Sequence, residues 1–319
     1  MWRNEQNDRR EFLRFGFGVA AACLVGRGYG EDSVGTPIPE QGMIDVHTHI
    51  GTTWNGDAEL TPDALLKWMD EHRIERSVLL PLVSPESSSF LLLTEPALAA
   101  GKAHPDRFIP FCCIDPRTSY VGGQKGLLEI LKRYVDQGAK GFGEHKCGLA
   151  FDDALMFRVY EACQTLGIPL LFHMDNQRGL DKPGLPALER ALKSFPELNF
   201  IGHGPGFWAS ISGGITQEEL NGYPTGEVKP GGALDALMET NSNLYCDLSA
   251  GSGANAITRD LKFGREFMLR RQDRLLFGTD YLKPGQEVPQ FAMLKELRLP
   301  AEAAGKILRA NAIRVLKLA

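Results

Sequence analysis

From residue 42 to the end of the chain, short apolar runs of strand length alternate with segments whose apolar residues recur at helical spacing, eight pairs in all. The strand candidates are Met43–His49, Arg76–Leu82, Arg107–Ile114, Ala139–His145, Ile168–Met174, Leu198–Gly204, Asn243–Ser249 and Arg274–Asp280. Most are continuously apolar rather than alternating, as parallel strands covered on both faces should be. Helix signals between them agree. Thr61 stands as N-cap before Pro62 for a helix over 61–72, a second helix over 126–137 stops at Gly138, and a third over 154–166 stops at Gly167. The segment 301–318 reads as a plain amphipathic helix that closes the structure. This rhythm predicts an α/β fold, a (β/α)8 TIM barrel, with residues 42–319 as a single domain. The connection 205–230, rich in Gly and Pro and carrying Trp208 and Tyr223, reads either as a lid or as a tolerated surface insertion.

Composition adds exclusions. A hydrophobic share of 43% with 24% charged residues is ordinary globular usage and supplies a sizeable core. The net charge is -5 and no basic block occurs after the first thirty residues, so no nucleic-acid partner is expected. A small-molecule substrate is, and a homo-oligomer is compatible with the composition. The cysteines, Cys23, Cys112, Cys113, Cys147, Cys163 and Cys246, show neither zinc-ribbon nor redox spacing and are not expected to form a disulfide framework, and Cys112 and Cys113, adjacent in an apolar run, are expected to be buried free thiols.

Residues 1–30 read as an address rather than as fold. A basic front end precedes the apolar stretch Phe15–Val25, which is too short to span a bilayer as a stable helix. Within it, Arg9-Arg10-Glu11-Phe12-Leu13-Arg14 resembles the twin-arginine export motif, which implies an exported, periplasmic or extracellular protein carried by the twin-arginine machinery. Ala20-Ala21-Ala22-Cys23 is similar to a lipoprotein cleavage box, but the short apolar run before it argues against a lipid anchor at Cys23. A linker, 31–41, follows.

The polar residues that interrupt the apolar strands carry the chemistry, because each falls at or near the C-terminal end of its strand, where barrel active sites form. His47 and His49 are two apart in Ile44-Asp-Val-His-Thr-His-Ile50, so a strand's period of two turns both imidazoles to one side. His173, His203 and Asp280 end strands five, six and eight. Imidazoles with a carboxylate suit a divalent ion, zinc first and manganese or iron as alternatives, and open coordination positions would make the site catalytic. His72 falls in a helix and His104 precedes Pro105 in a loop, so both are expected at the solvated surface. On strand four, parity puts Glu144 and Lys146 on one side and His145 on the other. Glu144 is then either a metal-proximal carboxylate or the partner of Lys146 in a rim ion pair. Lys146 and Arg178 are candidate contacts for a substrate carboxylate.

The set Asp45-Val-His47-Thr-His49, Leu-Phe-His173, Ile-Gly-His203-Gly, Leu-Phe-Gly-Thr-Asp280 and Asn311-Ala312 resembles the amidohydrolase superfamily over residues 42–318. The branch it resembles is the amidohydrolase-related family that includes aminocarboxymuconate-semialdehyde decarboxylase. The resemblance implies that His47, His49, His173 and Asp280 bind the metal, that Asp280 also takes the proton of the hydrolytic water, and that His203 is an acid/base or a second-metal ligand. One ion is implied if His203 is free, two if Glu144 and His203 are both ligands. The implied activity is hydrolysis of an amide, lactone or ester. A decarboxylase or hydratase of the same family is the alternative. Further rivals are a nuclease, since Gly143-Glu144 resembles the TatD-type enzymes, and a non-catalytic secreted binding protein.

The export reading has a direct test: replacing both Arg9 and Arg10 by Lys is expected to block export of the folded protein, followed by fractionation and immunoblotting. Unchanged export overturns it.

Overall fold

The computed structural model describes residues 35–118 and 122–319, so the twin-arginine segment and Cys23 lie outside the described residues. Eight strands form the barrel: β1 Met43–Thr48, β2 Ile74–Leu79, β3 Phe108–Pro110, β4 Phe142–His145, β5 Leu170–His173, β6 Phe200–His203, β7 Leu244–Asp247 and β8 Leu275–Leu276. The first three pair in parallel as one sheet and β4 to β8 as another. Parallel bridges between Cys112 and Phe142 and between Thr48 and Tyr281 join the two sheets at both edges and close the ring.

Each strand is shorter than its apolar run, for local reasons. Pro110 brings no N–H to β3, and past it the backbone bonds go on outside the strand, from Phe111 N to Leu79 O and from Cys112 N to Gly141 O. Past Leu276, backbone bonds continue from Val46 N to Phe277 O and from Asp280 N to His47 O, outside regular ladder geometry. Gly143 adopts a φ of 138°, and a side chain there would bring Cβ to 2.3 Å from Leu171 O, so only glycine lets β4 lie against β5.

Two apolar regions hold the barrel. Ile44, Val46, Val78, Leu80, Ile109, Phe111, Leu171, Ile201, Tyr245 and Leu276 fill its interior, capped from below by Ala312, Val315 and Leu316. A larger region packs the helices on the outside of the sheet, with Trp208, Tyr160 and many phenylalanines fully buried. The closing segment is not the plain helix its pattern suggested. It runs as a helical turn Ala301–Gly305, a π-helical turn Lys306–Ala310 and a second helix Asn311–Leu316. In the π turn Ile307 O accepts from Phe277 N, while Asn311 Nδ2 donates to Gln272 O and Leu275 O; these ties to β8 set the break in period.

The expected helix boundaries hold for Pro62–Glu71, where Thr61 Oγ1 accepts from Ala64 N, and for Ala154–Leu166, which ends at Gly167 in the left-handed region. Part of the linker is docked: Thr36 Oγ1 donates to Leu294 O and accepts from Leu299 N. His72 is half-buried rather than solvated, stacked on Trp68 and Phe291, because aromatic faces on two neighbouring helices leave a slot that an imidazole fills. His104, also half-buried, ends the helix Thr94–Ala103 with its ring against the edge of Phe108. The cysteines among the described residues are all free and buried. In the connection 205–230, Pro205–Ala209 is helical and buries Trp208, whereas Tyr223 is half-exposed, so its first part is wall rather than lid.

His145 points out of the barrel into the helix layer, its Nε2 toward Met156 Sδ and its Nδ1 buried without a partner. Burial pushes its pKa down to about 4. The unfolded chain takes up this proton near pH 6.5, so stability is complete above that value and is lost as pH falls toward about 4, where the folded histidine titrates. Denaturant unfolding should therefore show a loss of about 2 kcal/mol between about pH 7.5 and about pH 5 from this group, absent in His145→Leu. An unchanged acid limb in the variant overturns the assignment.

Candidate metal centre

The strand ends converge on one pocket. On β1 a bulge decides which side chains reach it: Asp45 pairs with Ser77 and Thr48 with Leu79, three residues against two. Ile44 and Val46 fill the barrel interior, and simple alternation from Val46 would turn His47 and His49 outward. The extra residue flips the parity and brings both imidazoles inside. Asp45 braces the turn, its Oδ1 accepting from His47 N and Thr279 N and its Oδ2 from Thr279 Oγ1. Burial raises its carboxyl to about 7, with these bonds opposing the rise.

His47 Nδ1 lies 2.6 Å from Asp247 Oδ2 and His49 Nδ1 lies 2.8 Å from Leu80 O. Neither oxygen carries a hydrogen when Asp247 is ionised, so each Nδ1 donates. In neutral rings the two Nε2 atoms are then bare lone pairs, and they face each other at 3.3 Å. Asp280 Oδ1 is 3.5 and 3.4 Å from them, and Glu144 Oε2 is 3.5 Å from both. Asp280 Oδ1 and Glu144 Oε2 are both buried without a hydrogen-bond donor, and Glu144 Oε2 has the Lys146 ammonium as an ion-pair partner at 2.6 Å. Four electron-rich atoms thus surround one point that no donor of the protein fills. A divalent cation bound by nitrogen and oxygen suits this donor set.

The electrostatics say the same. Burial lowers the His47 pKa, but Glu144, Asp247 and Asp280 outweigh it and hold the group well above its ordinary value. Burial likewise raises Glu144, and the Lys146 ammonium with His47 more than reverses it, leaving the carboxyl well below the usual range. Asp280 is lowered too, its burial outweighed by the charge on His47. Here a proton on His47 stands in for a cation. His203 behaves oppositely: burial, then His47, pushes it down to about 3, so it is neutral.

His47, His49, Glu144, Lys146, His173, His203 and Asp280 meet at the strand ends, in different arrangements. His47, His49 and Asp280 form one cluster able to hold an ion, and His47, Glu144 and His203 form another. His173 belongs to neither, with Nδ1 3.0 Å from Glu144 Oε1 and Nε2 3.0 Å from Asp175 Oδ2. Glu144 and Lys146 share the barrel side while His145 takes the other, as parity required, and the two readings of Glu144 coexist: it faces the imidazoles and pairs with Lys146. Arg178 Nη1 donates to Asp175 Oδ2 and Nε to Glu86 O, with the guanidinium 5.7 Å from the Trp54 ring centre. Both candidate substrate cations are therefore already held by protein oxygens.

Asp247, Ser249 and Asp175 were missed. Asp247 and Ser249 share the pocket-facing parity of Tyr245 at the end of β7, the criterion that found His173 and Asp280, but no histidine drew notice to that strand. Asp175 lies two residues past His173.

Comparison with known proteins decides the family, because the amidohydrolase family model matches residues 44–318. The chain belongs to the amidohydrolase family. No curated protein matches it. Among solved structures it is similar to an uncharacterized TIM-barrel protein from Bordetella bronchiseptica, at 20% identity and a TM-score of 0.57 over 86% of this chain and 98% of that one. It is also similar to a probable 2-pyrone-4,6-dicarboxylic acid hydrolase from Acinetobacter baumannii with citric acid bound, at 16% identity and a TM-score of 0.58 over 86% and 99% of the two chains. A third is 5-carboxyvanillate decarboxylase from Sphingomonas paucimobilis, at 15% identity and a TM-score of 0.54 over 88% and 100%. At these identities the likenesses establish the barrel. The amidohydrolase family holds both hydrolases and carboxy-lyases and typically binds a divalent metal, so this chain is an enzyme of that group.

Removing a ligand should empty the site without unfolding a barrel whose core lies elsewhere. His49→Ala and Asp280→Asn are each expected to lower zinc affinity by about a hundredfold or more with an unchanged circular dichroism spectrum. Stoichiometric metal in both after dialysis, by elemental analysis, overturns the assignment.

Proposed function

We propose that this amidohydrolase hydrolyses an amide, lactone or ester bond of a small carbonyl-containing substrate, with one divalent ion, zinc by its mixed imidazole and carboxylate donors. The observation that carries the reading is Asp280 Oδ1, an acceptor with no donor, beside two bare imidazole nitrogens at the mouth of the barrel. Asp280 adopts φ 58°, a backbone conformation uncommon outside glycine, and backbone strain of this kind concentrates at functional sites. His47, His49 and Asp280 would hold the ion, with Glu144 opposite, and a bound ion supplies Lewis acidity toward the substrate's carbonyl oxygen.

The chain's own residues divide the remaining work. The Asp280 carboxylate receives the proton of the attacking water and can return it to the leaving nitrogen or oxygen. His203, neutral and buried, presents Nε2 toward Glu144 Oε1 at 3.7 Å and is available as a second proton acceptor. Lys146 and Arg178 line the approach and would balance a substrate carboxylate by loosening their hold on Glu144 and Asp175. Two arguments favour a single ion. The two candidate clusters share His47, whose Nδ1 is taken by Asp247, and one Nε2 lone pair serves one cation. With Asp45 set aside, since burial raises its carboxyl to about 7, Glu144, Asp175, Asp247 and Asp280 against Lys146 and Arg178 leave an excess of two negative charges, which one dication neutralises.

A decarboxylase is the second reading, favoured by the same two cations, which suit a substrate bearing a carboxylate. We further infer that the folded protein is exported by the twin-arginine route with its metal already loaded.

His203→Asn is expected to retain about one equivalent of zinc and to lose turnover by about a hundredfold or more. A panel of lactones, amides and aromatic carboxylic acids, followed by product analysis, identifies the substrate. Release of carbon dioxide from an aromatic acid with no ring or amide cleavage overturns hydrolysis in favour of decarboxylation, and zinc near two equivalents that falls in both Glu144→Gln and His203→Asn overturns the single ion.

A further inference from the structure

Asp247 and Ser249, both fully buried, stand behind the imidazoles rather than among the groups facing the substrate. Asp247 Oδ1 accepts from Ser249 N at 3.0 Å. Its Oδ2 accepts twice, from His47 Nδ1 at 2.6 Å and from Ser249 Oγ at 2.8 Å. A hydroxyl has one proton, so Ser249 Oγ, having given it to Asp247, can only accept from His203 Nδ1, which lies 2.8 Å away and is itself 3.4 Å from Asp247 Oδ2. The direction of every bond in the chain from His203 through Ser249 to Asp247 and from His47 to Asp247 is thereby set by one carboxylate.

We infer that Asp247 and Ser249 are positioning residues that hold the protons of His47 and His203 on Nδ1, so that both rings turn a bare Nε2 into the centre. This rests on the reading of the pocket as a metal site only for the consequence at His47; the tautomer of His203 follows from the bonds alone. It also gives His203 a direction. Its Nε2 enters the reaction as an acceptor, and the proton it gains leaves an imidazolium whose Nδ1–H still donates to Ser249, with Asp247 behind it to offset the charge.

The sharpest test exploits the near-isosteric Asp247→Asn. The Oδ1 position must stay oxygen to accept from Ser249 N, so the amide nitrogen takes the Oδ2 position and aims its protons at His47 Nδ1 and Ser249 Oγ. Ser249, now accepting from the amide, turns its own proton to His203 Nδ1, and both rings are driven to carry hydrogen on Nε2 instead. A carboxylate behind a histidine governs the tautomer in this way, and its amide reverses it. Nitrogen NMR of the full chain labelled at histidine should show His203 protonated on Nδ1 in the wild type and on Nε2 in Asp247→Asn. Zinc affinity in that variant should fall about ten- to a hundredfold while circular dichroism is unchanged. Ser249→Ala should leave zinc affinity within about threefold, since the His47 bond to Asp247 is intact, whereas removing Ser249 Oγ and Asp247 Oδ2 together, in Ser249→Ala combined with Asp247→Ala, should abolish the single His203 tautomer.

His203 still protonated on Nδ1 in a folded Asp247→Asn overturns the inference, as does an unaltered tautomer in the variant combining Ser249→Ala with Asp247→Ala should the first variant not fold. Switching of His203 in a protein whose wild type binds no zinc upholds the relay and overturns the metal reading instead.

Discussion

Everything at the upper end of this barrel follows from one constraint: several carboxylates and imidazoles are buried together, and their charges must be balanced where water does little of the balancing. Glu144 and Asp247 are fully buried, and Asp280 is partly buried, around His47. Isolated, each buried carboxylate would protonate or pull the fold apart. The protein's remedies are partial. Lys146 meets Glu144, Arg178 meets Asp175, and donors from β1, β7 and β8 meet Asp45 and Asp247, which leaves Asp280 Oδ1 facing the two Nε2 atoms with no donor. That residual demand for positive charge is what suits the pocket to a cation and sets it apart from a satisfied polar core.

The barrel separates the cost of this arrangement from its stability. Below the site, Ile44, Val46, Val78, Ile109, Leu171, Ile201 and Leu276 form a dry interior plugged by Ala312, Val315 and Leu316. The helix layer adds a second, larger apolar region. Polar residues begin only at the strand ends, so the charged groups sit on a floor already closed by apolar packing. The same strands serve both needs: Leu171 and His173, Ile201 and His203, and Tyr245 and Asp247 are each two residues apart, the lower member in the core and the upper in the pocket.

That shared parity is why so much was legible in the sequence. Continuous apolar runs located all eight strands, and a polar residue at the end of a run marked His173, His203 and Asp280. What failed did so where period alone does not determine direction. On β1 the pairing of His47 with His49 was readable, but the bulge that turns them inward depends on the register with β2, a tertiary property. Asp247 was passed over although it satisfies the same rule, because an aspartate at a strand end has many structural uses and only its distance from His47 distinguishes it. The π turn in 306–310 carries no pattern of its own; it answers to Phe277 N and the strand it serves. His72 reads as a surface residue until Phe291, far along the chain, is packed beside it.

The motif Leu275-Leu-Phe-Gly-Thr-Asp280 shows how far a ligand motif extends beyond its ligand. Asp280 is the residue that reaches the imidazoles, but Gly278, at the same parity, faces the barrel where Asp247 stands. A Cβ on Gly278 would lie 2.2 Å from Asp247 Oδ1 and 3.0 Å from Ser249 Cβ. Any side chain there would push the carboxylate off His47 Nδ1, and the orientation of the first imidazole would be lost together with the bond from Ser249. Thr279 between them turns the other way and ties Asp45 through both its N–H and its hydroxyl. Three consecutive residues thus perform three separate tasks for one centre: an empty space for the carboxylate behind His47, a brace for the bulge that carries His47, and the carboxylate in front of it.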